Sequence, residues 1–184
     1  AKKPIKITEV VLRDAHQSLI ATRMTMDEMR PILPAMDEVG YYSVECWGGA
    51  TFDVAMRFLG EDPWERLETL REEIPDVMFQ MLFRGANAVG YRNYPDNTIR
   101  KFIRQSAKSG IDVFRIFDCL NQLSHMTVTI DEVRKKEKLA EACFCYTGDI
   151  MDPNRQKYSL KYYTDLAKQM QDAGANIIAI KDMA

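Results

Sequence analysis

Histidine and cysteine are scarce in this 184-residue chain, two of the first and four of the second, and no apolar run approaches the ~20 residues that cross a bilayer. Two histidines, His16 and His125, cannot make an all-histidine metal site. The cysteines Cys46, Cys119, Cys143 and Cys145 lack the Cys-x-x-Cys spacing of a zinc site, and all sit in apolar runs. They are expected to be reduced core residues of a cytosolic protein. The opening Ala-Lys-Lys-Pro has no apolar core of a signal peptide. Charge of one sign is also missing: 25 basic against 27 acidic side chains leave −2, which argues against a general nucleic-acid binder. No Gly-x-Gly-x-x-Gly or Walker loop is present, and neither Ser18 nor Ser124 lies in a nucleophile elbow. Gly85, Gly90 and Gly48-Gly49 do not form a phosphate cradle, so a nucleotide-binding open sheet loses its main support. What is present is a globular composition, 46% apolar and 28% charged, long enough for one domain with a real core. The eleven methionines read as core filler.

Short β-rich apolar runs alternate with longer helical patterns. Strands are expected at Ile5–Leu12, Tyr42–Cys46, Val77–Phe83, Val113–Phe117, Ala142–Tyr146 and Asn176–Ile180. Helices are expected at Asp27–Val39, Asp53–Leu59, Pro63–Glu73, Asp96–Ser109, Leu123–Leu139 and Ser159–Ala173. Thr25 and Glu28 make a capping box, Gly40 is a stop, and Pro34 predicts a kink. Lys135-Lys136-Glu137-Lys138 contains no glycine, so the helix before strand five is expected to run long. Alternating βα units with buried strands indicate a parallel sheet covered by helices, either doubly wound or part of an eight-stranded barrel. A full barrel takes roughly 250 residues. Because the sequence stops just after strand six, residues 1–184 read as one incomplete domain of a longer protein.

Polar residues gather where the strands end: Arg13, Asp14 and Gln17, then Glu45 and Trp47, Arg84 and Asn87, Asp118 and Asn121, Tyr146 and Thr147, Lys181 and Asp182. Ligands bind at that edge in both folds, and six ends aimed at one rim favour the barrel. His16 reads as a structural hydrogen-bonding residue rather than a base, and His125 as a surface or packing residue.

Four segments carry a resemblance: 13–23 (Arg-Asp-Ala-His-Gln-Ser-Leu-Ile-Ala-Thr-Arg), 45–53 (Glu-Cys-Trp-Gly-Gly-Ala-Thr-Phe-Asp), 81–91 (Met-Leu-Phe-Arg-Gly-Ala-Asn-Ala-Val-Gly-Tyr) and 180–184 (Ile-Lys-Asp-Met-Ala). In order and over nearly the whole chain, the sequence resembles the biotin-dependent carboxyltransferases, the family of pyruvate carboxylase, oxaloacetate decarboxylase and transcarboxylase subunits. Residues 146–155 (Tyr-Thr-Gly-Asp-Ile-Met-Asp-Pro-Asn-Arg) look most like the pyruvate carboxylase branch. The resemblance implies a (β/α)8 TIM barrel, of which about six strands are here, forming the N-terminal three-quarters of a carboxyltransferase barrel.

The resemblance also implies the chemistry. Carboxybiotin, brought by a separate carrier domain, gives its carboxyl group to pyruvate to form oxaloacetate through a pyruvate enolate, as in gluconeogenesis. ATP binding belongs to a separate biotin carboxylase domain. The site is implied to hold a divalent metal, manganese or zinc, bound by Asp14 and by Lys181 as a carboxylysine. Two histidines of a His-x-His motif and a proton-transferring threonine are implied further along the parent chain. Arg13, Gln17, Arg84 and Tyr91 are implied to bind substrate, with Gln17, Arg84 and Lys181 catalytic. A forked permanent cation such as Arg84 suits the pyruvate carboxylate, and donors such as Gln17 and Tyr91 suit the enolate oxygen. Lysine adds CO2 only as the neutral amine, so Lys181 calls for partial burial or nearby cations. Asp118 and Asn121 read as support residues. The expected partners are pyruvate, carboxybiotin and the two companion domains, in a homo-oligomer (a tetramer) with no nucleic acid or membrane. The expected compartment is the cytoplasm, or the mitochondrial matrix in a eukaryote. An inert structural or oligomerisation fragment is the alternative from another class, and the isolated segment is expected to hold metal weakly and to be inactive.

Overall fold

A computed structural model describes residues 3–154 and 156–183; Arg155 and Ala184, each part of a quoted motif, lie outside the described residues, as do the first two. Six strands, β1 (Thr8–Glu9), β2 (Ser43–Trp47), β3 (Met78–Phe83), β4 (Val113–Phe117), β5 (Leu139–Tyr146) and β6 (Ile177–Asp182), are hydrogen-bonded in chain order within one sheet. The pairing is parallel, with Glu45 opposite Gln80 between β2 and β3 and Cys145 opposite Lys181 between β5 and β6. The α-helices are α1 (His16–Ile20), α2 (Met26–Met29), α3 (Leu33–Glu38), α4 (Gly49–Val54), α5 (Pro63–Glu73), α6 (Asp96–Lys108), α7 (Thr127–Lys135) and α8 (Leu160–Asp172). Packing divides the chain into two compact units, Ala1–Leu82 with Gln105–Val113, and Phe83–Arg104 with Phe114–Ala184.

In the first unit, β2 is buried along its whole length, and Trp47 at its end meets Phe52 and Trp64 with ring centroids 5.6 and 5.0 Å away. Leu33, Leu67, Leu70, Ile74 and Phe79 are fully buried around it, each side chain stabilising the fold by about 1.5–3 kcal/mol relative to exposure. In the second unit, Phe83, Ile103, Phe114, Ile130, Val133 and Met170 are fully buried. Cys46, Cys143 and Cys145 belong to the buried residues, and burial pushes the Cys46 thiol up to about 12. Cys119, expected in the core, is exposed: it follows β4 in a turn, beyond the last buried position of the strand.

Local sequence logic decides several boundaries. The capping box forms as expected, with the Glu28 amide donating to Thr25 Oγ1 and the Thr25 amide to Glu28. The segment toward Glu38 is broken by a 3-10 turn, Arg30–Ile32, because Pro31 and Pro34 each remove an N–H from the α ladder. The Asp62 carboxylate caps α5, whose first residue is Pro63. Helix following β2 starts at Gly49, earlier than the expected Asp53, and ends in a π-helical turn, Ala55–Leu59.

Three further expectations fail. The first strand was expected to reach Leu12, but only Thr8–Glu9 is extended, and Val11–Ala15 forms a π-helical turn that buries Leu12 and Arg13. Lys181 and Asp182 lie within β6 rather than after it. The helix before strand five does not run on to Leu139; it ends at Lys135, and Glu137 takes the left-handed conformation (φ +56°) that a glycine would adopt without strain. Glu137 is exposed, so the backbone alone bears this strain. Glu137→Gly is therefore expected to stabilise the protein by up to about 1 kcal/mol, the αL penalty less the entropy that glycine adds to the unfolded chain. A thermal midpoint that falls would contradict this.

Candidate active site

In the first unit the π-helical turn after β1 presents Arg13 and Asp14, and Gln17 follows on α1. Arg13 is 6% exposed and Glu45 of β2 is fully buried. Arg13 donates from Nε to Glu45 Oε1 at 2.7 Å and also from Nη2 to the same oxygen. Its remaining nitrogen, Nη1, donates to Asp14 Oδ1 at 2.9 Å and reaches Gln17 Oε1 at 3.5 Å. The Arg13 stem packs over Gly48 at ordinary contact distance: a β-carbon there would lie 3.6 Å from Arg13 Cδ. His16 is buried, and its Nε2–H donates to the Leu12 carbonyl at 2.8 Å. Burial pushes its pKa down, so the ring is neutral and structural, as its sequence setting suggested.

In the second unit Arg84 follows β3 directly and is half-buried. Its Nη1 donates to the carbonyls of Val89 and Gly90 at 3.2 and 3.1 Å, and its guanidinium lies 5.3 Å from the centroid of the Tyr91 ring. Arg84 and Tyr91 are thus brought together on one loop, with Tyr91 70% exposed. Gly85 (φ +42°) allows the loop to turn back against the carbonyls of His125 and Phe117.

Asp118 and Asn121 support their surroundings. Asp118 accepts from the amides of Leu120 and Gln122 at 2.9 and 3.0 Å, and its Oδ1 lies 3.0 Å from His125 Nδ1. Burial pushes the Asp118 carboxyl up, but these hydrogen bonds outweigh it and hold the group below its ordinary range. Asn121 bonds the β5 backbone through both ends of its amide, to the Cys145 carbonyl at 2.9 Å and from the Cys145 amide at 2.7 Å. Lys181 is half-buried, its Nζ 4.1 Å from the Phe117 ring centroid. With Phe117, Asn121, Cys145 and Tyr162 it lines a cavity of about 520 Å³.

The donors expected to hold a metal can be judged by their chemistry. The Asp14 side chain is 53% exposed, a hard oxygen ligand with Oδ2 open. Lys181 fits only once carboxylated, since an ammonium has no lone pair to give. No three His, Cys, Asp or Glu side chains gather to hold a metal ion among the described residues. The residues present therefore fit a divalent metal as contributors, and the rest of its shell would come from elsewhere.

No protein-family model matches the chain. It is 57% identical to the pyruvate carboxylase of Bacillus subtilis over 185 aligned positions, covering 100% of this chain and 16% of that protein. It is 52% identical to human mitochondrial pyruvate carboxylase, covering 97% of this chain and 15% of that one. Among solved structures, the carboxyl transferase domain of Rhizobium etli pyruvate carboxylase with pyruvate and biocytin superimposes with a TM-score of 0.94 and 54% identity, covering 99% of this chain and 31% of that chain. The chain thus spans about a sixth of the relatives it matches and under a third of that domain structure. The fold class agrees with the sequence reading: α/β, with six parallel strands of a barrel of this type.

Proposed function

The chain belongs to the carboxyltransferase family of the pyruvate carboxylases, and on that premise we propose that it forms the first six strands of a domain that transfers a carboxyl group from carboxybiotin to pyruvate. What supports the reading above all is the 54% identity, over 99% of the chain, with a carboxyl transferase domain solved with pyruvate and biocytin. The two clusters of polar side chains are of the kind the reaction needs.

Carboxybiotin breaks its N–C bond to release CO2 and leave the biotin enolate. That enolate takes a methyl proton from pyruvate, by way of a threonine outside this chain, and the pyruvate enolate forms a C–C bond to CO2, giving oxaloacetate. Arg84 faces the pyruvate carboxylate with nitrogens not used in bracing its own loop. Arg13, its nitrogens held by Glu45, Asp14 and Gln17, orients Gln17 beside the substrate, and Gln17 and Tyr91 donate toward the keto oxygen as it gains charge. Asp14, together with Lys181 as a carboxylysine, is this chain's share of a divalent-metal site (manganese or zinc), and the bound metal supplies polarising positive charge. Excluding water protects the enolates. The biotin carrier and biotin carboxylase domains, and a homotetrameric assembly, belong to the same proposal. So does the compartment: the mitochondrial matrix for a eukaryotic source, as the human relative is named mitochondrial, or the cytoplasm for a bacterial one.

The full-length protein is expected to form oxaloacetate from pyruvate, bicarbonate and ATP, and avidin is expected to abolish the reaction by sequestering biotin. Avidin-insensitive turnover, or no oxaloacetate, would overturn the proposal. Turnover of oxaloacetate without ATP would place the chain with the decarboxylases or transcarboxylases instead.

A further inference from the structure

The loop that Arg84 braces is not a relaxed turn. Ala88, 4% exposed, has φ +49° and ψ −115°, a backbone geometry outside the regions open to an L-residue at low cost. Such a conformation persists only where its surroundings impose it. Backbone hydrogen bonds do part of this: the Arg84 amide donates to the Ala88 carbonyl at 2.9 Å and the Gly90 amide to the Asn87 carbonyl at 2.7 Å. The Tyr94 amide donates to the Ala86 carbonyl at 2.9 Å, which returns the chain on itself. The Tyr94 ring then lies against Gly90. A β-carbon at Gly90 would stand 2.6 Å from both Cε2 and the hydroxyl oxygen of Tyr94 and 3.0 Å from Cζ, so the ring fills the space that a side chain there would need.

The Gly90 carbonyl is also one of the two that Arg84 Nη1 bonds, the other being that of Val89. Gly90 is therefore held twice, by its carbonyl on Arg84 and by its α-carbon against Tyr94. A hydrogen bond orients both of its ends. With Nη1 anchored on two carbonyls the plane of the guanidinium is set, and with it the direction of Nε and Nη2. We propose that Tyr94 is a positioning residue for the substrate carboxylate: by seating Gly90, it sets the orientation in which Arg84 meets pyruvate. This rests on the function proposed above. Tyr94 acts through Gly90 and Arg84, not by contact with substrate.

The test uses the full-length protein. Tyr94→Leu keeps an apolar side chain but removes the ring atoms that reach Gly90. KM for pyruvate is expected to rise about tenfold, the scale of one misaligned hydrogen bond to a charged group, with kcat within about threefold and KM for ATP unchanged. Tyr94→Phe, which keeps Cε2 and Cζ, should return KM close to the wild type. In an Arg84→Lys background Tyr94→Leu should add little, because no fork remains to be aimed. Gly90→Ala, whose methyl needs the place of the ring, breaks the same contact from the other side and should raise KM alike; it decides the matter should Tyr94→Leu not fold. A wild-type KM in Tyr94→Leu or Gly90→Ala would overturn the inference. So would effects of Tyr94→Leu and Arg84→Lys on KM that simply multiply, since Tyr94 would then act independently of Arg84. Failure of the functional reading looks different: the wild type itself would form no oxaloacetate and the substrate role would fall, while amide exchange at Gly90 in Tyr94→Leu would still report whether the ring holds the loop.

Discussion

Lysine in place of Arg84 is expected to lower kcat/KM for pyruvate about thirtyfold in the full-length protein, with most of the loss in KM. The number follows from one charge-assisted hydrogen bond, about 2 kcal/mol. Arg84 can divide its labour because a guanidinium has five N–H groups in a rigid fork. Nη1 fastens the Val89 and Gly90 carbonyls, the flat face sits over Tyr91, and Nε and Nη2 remain for a carboxylate. An ammonium is a point charge that can hold the loop or the substrate but cannot present two parallel donors. Arg84→Ala should cost more, since the loop brace goes as well. If Arg84 serves the loop alone, the lysine variant will leave KM unchanged and show its effect only as faster amide exchange at residues 88–91, and the substrate role will be lost.

Where local chemistry is decisive, the sequence was enough. The helix Pro63–Glu73 appears to the residue, because Asp62 caps it and proline fits its first turn, and Val113–Phe117 appears likewise as a strand. The misplaced boundaries have two causes. Apolarity marks burial, not backbone conformation, so Val11 and Leu12 look like a continuing strand although they turn into a helix, with Leu12 buried in either case. Glu137 defeats the glycine rule from the other side: the turn is required by the fold, and an exposed non-glycine residue bears the strain.

The candidate site was legible in the same uneven way. The resemblance named Arg13, Asp14, Gln17, Arg84, Tyr91 and Lys181, and the structure joins Arg13 with Asp14 and Gln17 in one unit and Arg84 with Tyr91 in the other. Glu45 stood out only as a polar residue at a strand end, with nothing to say that it meets Arg13 and Gln80. Those partners lie 32 and 35 positions away, and only the turn after β1 and the parallel register of β2 and β3 bring them together. A carboxylate inside the apolar run Val44–Trp47 is the signal that could have found it, since burial of a charge demands a partner.

The second large effect concerns Gly85, whose replacement by alanine is expected to destabilise the second unit by about 2 kcal/mol or more. Two costs add. The backbone is in the left-handed region (φ +42°), and the new β-carbon would stand 2.8 Å from the His125 carbonyl oxygen and 3.3 Å from that of Phe117. Both obstacles are backbone, so no side-chain rotation relieves them, and the loop from Arg84 to Tyr91 must move away from the 3-10 turn Leu123–His125. Gly60→Ala separates the two costs, because Gly60 (φ +67°) has nothing within 4 Å of a β-carbon and so bears only the conformational penalty of about 1 kcal/mol. Gly85→Ala should therefore lower the thermal midpoint by clearly more than Gly60→Ala. It alone should raise KM for pyruvate, since it displaces the segment that carries Arg84. Equal midpoints for the two variants would mean that the second unit has room where the structure places two carbonyls, and the close packing that seats Arg84 would have to be abandoned.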